Sequence, residues 1–514
     1  MKMTRYLLPA LLGLVLSSCY RDLSTEATFI IPDIVVTGVP ASLDVVYGEE
    51  ITVSAKAYMG EKSGNDFTYL WEIDLRANVT KDRVVIGEES TLTYTVANTP
   101  TSVPYLLSVR VTDPETGLEA MGSCFLTVRS SLGEGLLVGY TLPDGLRSEF
   151  AIAASPAITY GYEGASRITR GLYALANGEP YPEKLTCILQ TVDTGTGVYS
   201  DHRILAGSTN HVFAINPLTF EVQEQDAQLF SSTTIEKFGP SIMFNSGGYA
   251  SFMFIDSDAY SHLCNIDNVY AKMPNSIDNP VRFYPTNVGY AALDQGLTCV
   301  YNDGDAIYFA RAWTLMGGGF SKLDTNGMLD FPLEGSKCIQ GGCLRGMRPA
   351  FLVKDRDGAY HIVGVVSGNT KETAFSVSVE GENLDNLVSA AFCDNGDLMY
   401  YATGRDIYCA VISGNVSLVR KLNWKPENPG ERITQIKQYT QAWYGTGQTS
   451  AADYGFVLPT HRNMLIIVTH NDSTGEGKFY LRGYNVSTGL FTFNGDYGSF
   501  SGFGEITAIA PTIR

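Results

Sequence analysis

The chain has 514 residues, too many for one hydrophobic core, so two or more domains are expected. Hydrophobic residues make up 44% and charged residues only 18%, and glycine (52), tyrosine (30) and phenylalanine (24) are plentiful, a composition that favours strands and tight turns over long helices. The formal net charge of −18 is spread along the chain, which repels phosphate backbones and argues against nucleic acid as a partner.

Residues 1–18 read as a signal peptide. A basic start (Met1-Lys2-Met3-Thr4-Arg5) is followed by an apolar run from Tyr6 to Leu16. That run is too short to span a bilayer, which takes about 20 apolar residues. Its exit, Leu16-Ser17-Ser18-Cys19, matches the bacterial lipobox, in which the cysteine is acylated and becomes the mature N-terminus. Cys19 is therefore the expected lipidation site, and residues 19–32 a short polar tether. The chain is therefore expected to be anchored to a membrane through lipid.

From about residue 33 to 130 the text alternates apolar and polar positions in short runs: DIVVTGV, SLDVVYGEEITVSAKAYM, FTYLWEIDL, STLTYTVA, PYLLSVRVTDPETGL and MGSCFLTVRS. Such runs, broken by Gly, Pro, Asn or Asp, predict an immunoglobulin-like sandwich with Trp71 as its core tryptophan. The stretches Tyr69-Leu70-Trp71-Glu72-Ile73 and Leu107-Ser108-Val109-Arg110-Val111-Thr112-Asp113, with the Glu115-Thr116-Gly117 turn, resemble the PKD-like family of Bacteroidetes lipoproteins. The PKD repeat carries W-x-F-G-D-G after its tryptophan. Here the text is Trp71-Glu72-Ile73-Asp74-Leu75, so that acidic turn is missing.

Residues 133–514 follow another rhythm. HVFAINPLTFEVQ, DIYCAVISGNVSLVRKL and KFYLRGYNVSTGLFTF each give a strand, a small-polar turn containing Asn, and a second strand. Hairpin signals stand at Asp394-Asn395-Gly396 and at Asp357-Gly358. Four-stranded modules of about 40–55 residues read as propeller blades, about seven or eight over this length. The final GEITAIAPTIR is expected to join the ring by pairing with the opposite end of the domain. A large irregular β-sandwich is the alternative. The fold class expected is thus all-β, an immunoglobulin-like (PKD-like) sandwich followed by a β-propeller.

Catalytic and metal signatures are missing from the text. The six histidines (His202, His211, His262, His361, His461, His470) form no H-E-x-x-H pattern, and there is neither a G-x-S-x-G elbow nor an EF-hand loop. Gly475-Glu476-Gly477-Lys478 lacks the leading glycine and the Ser/Thr of a phosphate loop and reads as a hairpin loop. No cofactor or metal is expected. With Cys19 assigned to lipid, eight cysteines remain, and Cys338 and Cys343 in KCIQGGC are the candidate local disulfide. Three tryptophans lie beside Gly/Pro/Asn-rich text: Trp313, Trp424 and Trp443, the last followed by Tyr444. Aromatic faces at loop edges can stack on sugar rings or hold peptide side chains, so these four are the candidate ligand- or partner-binding residues.

The resemblance implies the rest. PKD-like lipoproteins of this kind are associated with SusC/SusD-type importers, a TonB-dependent barrel with a SusD-like lipoprotein. By that likeness the chain is an outer-membrane accessory, lipid-anchored and facing the cell exterior, that captures oligopeptide or glycan for the importer; the missing catalytic signatures argue against an enzyme. The alternatives are a purely structural accessory subunit and a surface hydrolase.

Overall fold

The computed structural model describes residues 32–76, 79–98, 104–129, 134–190, 203–231, 234–240, 242–246, 250–255, 258–263, 269–272, 283–285, 297–302, 306–311, 320–368, 371–441 and 457–512. The chain divides into two compact units, Met1–Arg129 and Ser130–Arg514.

The first unit is a two-layer β structure. A five-stranded sheet contains Ser42–Val46, Glu119–Arg129, Tyr105–Thr112, Thr68–Arg76 and Val79–Gly87, in that spatial order. Only the Ser42–Val46 pairing with Phe125–Arg129 is parallel; the others are antiparallel. Period-two alternation sends Trp71, Ile73, Leu107, Val109, Val111, Cys124, Leu126 and Val128 inward. There they meet Ile51, Val53, Ala57, Met59 and Leu92 from the two smaller sheets. Trp71 has no exposed surface, and its indole N–H donates to the Glu89 carbonyl at 2.8 Å, so burial leaves no orphaned donor.

The second unit contains, among the described residues, seven four-stranded antiparallel sheets. Six follow chain order outward from their innermost strands, which are Leu185–Gln190, Ile242–Ser246, Phe283–Pro285, Lys337–Leu344, Ser389–Cys393 and Glu431–Gln438. The first sheet is different. Its innermost strand is the C-terminal Ile506–Thr512, followed by Gly135–Thr141, Ser148–Ala154 and Arg167–Arg170. Leu136 pairs with Pro511 and Val138 with Ile509, so the expected terminal strand joins the two ends of the domain. Each sheet touches the next, and the seventh touches the first. This is a β-propeller-like all-β fold, with seven blades among the described residues.

Its hydrophobic matter lies in layers between neighbouring blades rather than in one central mass. Phe150, Leu185 and Phe213 fill the space between the first and second blades. Leu352, Ile362, Met399 and Tyr401 do so between the fifth and sixth, and Met464, Phe479, Phe500 and Ile509 between the seventh and first. Strands buried on both faces read as continuous apolar runs, which explains Met464–Asn471 (MLIIVTHN) and Leu398–Thr403 (LMYYAT).

One turn recurs. In Asp113–Gly117, Asn216–Phe220, Asn471–Gly475 and Asn485–Gly489, the N–H of the fifth residue donates to the carbonyl of the first. In each, the Asp or Asn side chain accepts a backbone N–H two residues on. The fourth residue is always Thr, and its hydroxyl accepts the N–H two residues later. The fifth has φ between 61° and 71°, where glycine is favoured. Phe220 breaks that preference. A left-handed non-glycine residue costs about 1–3 kcal/mol, which burial of a phenylalanine ring of similar worth offsets; Phe220 is 1% exposed and packs edge-on to Phe150.

Two structural details correct the sequence reading. Cys338 and Cys343 lie in one extended strand, Lys337–Leu344, and both are thiols. Five residues along a strand separate Cα atoms by about 16 Å, whereas a disulfide needs less than about 7 Å. The segment Gly475-Glu476-Gly477-Lys478 is not a loop beyond Gly475, because Glu476–Tyr484 is already a strand.

If the terminal strand holds the ring, a fragment starting at Leu132 should unfold in one cooperative thermal transition. The same fragment ending at Phe503 should lose that cooperativity, or melt at least 10 °C lower, by differential scanning calorimetry. Equal transitions in the two fragments would refute the role given to Ile506–Thr512.

Candidate functional site

Between the sixth and seventh blades lies an open groove of about 410 Å³, lined by Trp424, Lys425, Glu427, Tyr480, Arg482, Asp496, Gly498 and Ser499. Its floor comes from the connection that follows the outermost strand of the sixth blade, Val416–Lys421. Its walls come from the third and fourth strands of the seventh, Glu476–Tyr484 and Phe491–Phe503. Tyr480 and Arg482 share a strand face because side chains alternate with period two.

The connection is fixed from several sides. Arg405 donates to the carbonyls of Pro426 (2.8 Å) and Pro429. The backbone N–H of Glu427 donates to the Tyr480 hydroxyl at 3.4 Å. Below it sits Glu431, 1% exposed. Its carboxylate accepts from the Tyr480 hydroxyl (2.6 Å), the Asn428 amide (2.6 Å) and Thr469 (3.3 Å), and pairs with the Lys478 amine at 3.1 Å. Burial pushes this carboxyl up, but the bonds from Tyr480, Lys478 and Asn428 outweigh it and hold the group below the usual glutamate range. Glu431 therefore stays charged and ties the groove floor to its wall.

The groove itself is lined by both signs of charge. Arg482 pairs with Asp496 at 2.6 Å and lies 6.0 Å from the centroid of the Trp424 ring, a cation–π arrangement. Lys425 reaches Asp406 at 3.5 Å, a carboxylate that Lys421 also holds at 2.9 Å. Glu427 is exposed and has no ion-pair partner among the described residues.

Of the four aromatics expected at a contact surface, the structure describes one. Trp313, Trp443 and Tyr444 lie outside the described residues, as does Cys19. Trp424 does line the groove, but with little exposed surface. It is 8% exposed, with Tyr480 packed T-shaped at 5.3 Å and Phe491 at 6.5 Å, inside the core between the sixth and seventh blades. Its role as an open stacking platform is thereby corrected. Sequence reading missed Glu427, Arg482 and Asp496, since nothing local marks residues brought together by the packing of two blades.

A second polar cluster joins the seventh blade to the sixth and first. Asp394, raised above the usual carboxyl range by burial, is partly relieved by Arg462 at 3.3 Å. Gln441 donates to buried Glu134 at 2.7 Å, and the Thr460 hydroxyl to the Ala157 carbonyl at 2.6 Å. His461 accepts the Gln441 backbone N–H at Nδ1 (2.9 Å). His461 and His470 lie near opposite ends of Met464–Asn471, as their spacing suggests. These groups hold blades together. Among the described residues no three His, Cys, Asp or Glu side chains are placed to bind a metal.

The geometry defines an all-β chain with a propeller-like domain and a charged lateral groove. No protein-family model matches it, and no curated protein does. Solved structures similar to it include a quinoprotein alcohol dehydrogenase-like protein from Bacteroides thetaiotaomicron, 12% identical with a TM-score of 0.39, covering 93% of this chain and 99% of that one. The WD40 domain of SCAP from fission yeast is 9% identical with a TM-score of 0.33, covering 64% and 74%. Apo AztD from Citrobacter koseri is 11% identical with a TM-score of 0.30, covering 59% and 82%. At these scores the likenesses carry no argument about activity.

The His461 site generates a pH prediction. Burial, then the neighbouring Arg462 charge, lowers its pKa to about 4. An unfolded histidine titrates near 6.5. Its contribution is present above pH 6.5 and is lost as pH falls towards 4, by at most about 3 kcal/mol at 1.36 kcal/mol per pH unit. Urea unfolding midpoints should therefore drop less steeply between pH 7 and 4.5 in His461→Gln than in wild type. Identical pH slopes would contradict the assignment.

Proposed function

We propose that this chain is a surface-exposed outer-membrane lipoprotein, anchored through Cys19, that assists a SusC/SusD-type TonB-dependent importer by capturing oligopeptide or glycan. In this reading the PKD-like first unit is a spacer and the propeller-like unit is the working domain. The observation that carries it is the groove of about 410 Å³ beside Trp424, whose volume falls in the range of ligand sites and whose lining sets Trp424 and Tyr480 among charged side chains of both signs. The anchor rests on Leu16-Ser17-Ser18-Cys19. Among the described residues no helix is long and apolar enough to cross a membrane. Ligand contacts fall to surface grooves and loops because strand interiors of small blades are filled by their own side chains.

Two measurements test the reading. Purification from native membranes in mild detergent should bring a TonB-dependent barrel and a SusD-like lipoprotein with the chain. Cys19→Ala should move the protein from the membrane to the soluble fraction, because each buried acyl methylene is worth about 0.8 kcal/mol. A Cys19→Ala protein that stays membrane-bound after high-salt washing, with no importer present, would overturn the anchor.

A further inference from the structure

We infer that the groove between the sixth and seventh blades takes a segment of oligopeptide carrying both a positive and a negative group, rather than a neutral glycan. This deepens the capture reading above and rests on the groove being the capture site.

Three observations carry it. The first is charge. Glu427 offers an exposed carboxylate with no ion-pair partner among the described residues, while Lys425 shares Asp406 with Lys421. An ammonium seated against Glu427 at the groove rim gains an ion pair that the carboxylate lacks among the described residues. A carboxylate then faces Lys425, whose present partner at 3.5 Å is already held by another lysine. Peptides carry both groups on their termini and side chains, and neutral sugars carry neither.

The second observation is the state of the tryptophan. Stacking on a sugar ring needs an open aromatic face. Trp424 has Tyr480 and Phe491 against it and the Arg482 guanidinium 6.0 Å from its ring centroid, and its 8% exposure leaves no open face for a sugar ring.

The third is the strand beside the groove. Phe491–Phe503 is the outermost strand of the seventh blade and, at 13 residues, longer than Thr373–Ser378 or Val416–Lys421, 6 residues each, at the same position of other blades. One edge of it pairs with no strand among the described residues, although the Ser501 carbonyl accepts from Arg170 at 2.5 Å. An extended peptide can satisfy such unpaired N–H and C=O groups, and Phe493, fully exposed on the same strand, offers an apolar contact for a side chain. Asp496 and Ser499 put the groove within a few residues of that edge.

The test is calorimetric titration of the full chain in mild detergent. The probes are an unblocked Lys-Glu-Lys-Glu tetrapeptide, its acetylated and amidated counterpart with glutamine and acetyl-lysine replacing the charged residues, and a neutral hexose oligosaccharide. The charged peptide should bind at least tenfold more tightly than the uncharged one. Glu427→Gln should remove that preference while leaving the thermal transition unchanged, because the side chain is exposed. Raising salt from about 50 to 500 mM should weaken the charged peptide severalfold. Equal binding of the two peptides would overturn the inference. So would tight binding of the oligosaccharide that Ser499→Trp abolishes, although that result would keep the groove as the capture site. If no probe binds, and Ser499→Trp leaves capture by native membranes intact, both the inference and the choice of groove fail.

Discussion

The pairing of Ile506–Thr512 with Gly135–Thr141 is the constraint on which the propeller-like unit depends. Each blade buries its apolar residues against two neighbours, so the first and seventh blades each keep an open face until they meet. The terminal strand supplies that meeting with an antiparallel ladder that runs from Gly135 to Tyr140, with one bulge between Gly139 and Tyr140. The polar ties from Glu134 to Gln441 and from Thr460 to Ala157 reinforce it from the seventh blade. Interdigitated packing of Phe479, Phe500, Phe503 and Ile509 completes the seam. The ring therefore closes through backbone, side-chain hydrogen bonds and apolar contact together.

The groove follows from the same blade-on-blade packing one interface away. Trp424, Tyr480 and Phe491 fill the outer part of the layer between the sixth and seventh blades, and where that layer runs out the charged ends of Arg482, Asp496, Glu427 and Lys425 remain. Glu431 is what makes this rim stiff. A buried carboxylate that accepts from three donors and pairs with a lysine holds the connecting segment in one conformation. A ligand meeting such a rim loses little affinity to ordering the protein.

How much of this was legible in the sequence depends on how local each feature is. The hairpins at Asp394-Asn395-Gly396 and Asp357-Gly358 pair as the text indicates, because their turn chemistry is contained in a few residues. The inward position of Trp71 and the pairing of the terminal strand were legible for a related reason, since strand alternation and an unpaired apolar end both leave marks in the text. The repeat DPETG, NPLTF, NDSTG and NVSTG is present in the text, but only NPLTF and NVSTG stand out there as turns containing Asn, and DPETG as the Glu115-Thr116-Gly117 turn. Its common Thr gains meaning once the hydroxyl is seen accepting the same N–H each time. By contrast, the burial of Trp424 beneath Tyr480, and the meeting of Glu427 with Asp496, depend on how two blades pack. No window of sequence contains that information. The Cys338–Cys343 bridge was misjudged because nearness in sequence is not nearness in space once the segment between is extended.

The joined ring also has a temporal consequence. The first blade draws its innermost strand, Ile506–Thr512, from residues made after all the other blades, so every earlier stage of synthesis or export holds Gly135–Thr141 with an edge that has nothing to pair with. Contacts between positions so distant in sequence are slow to form, because loop closure must precede any gain from pairing. An unfinished chain is thus exposed to strand-edge aggregation for longer than its individual hairpins would be. The first unit, whose strands all lie before residue 130, has no such wait and can reach its native pairing while the ring is still open.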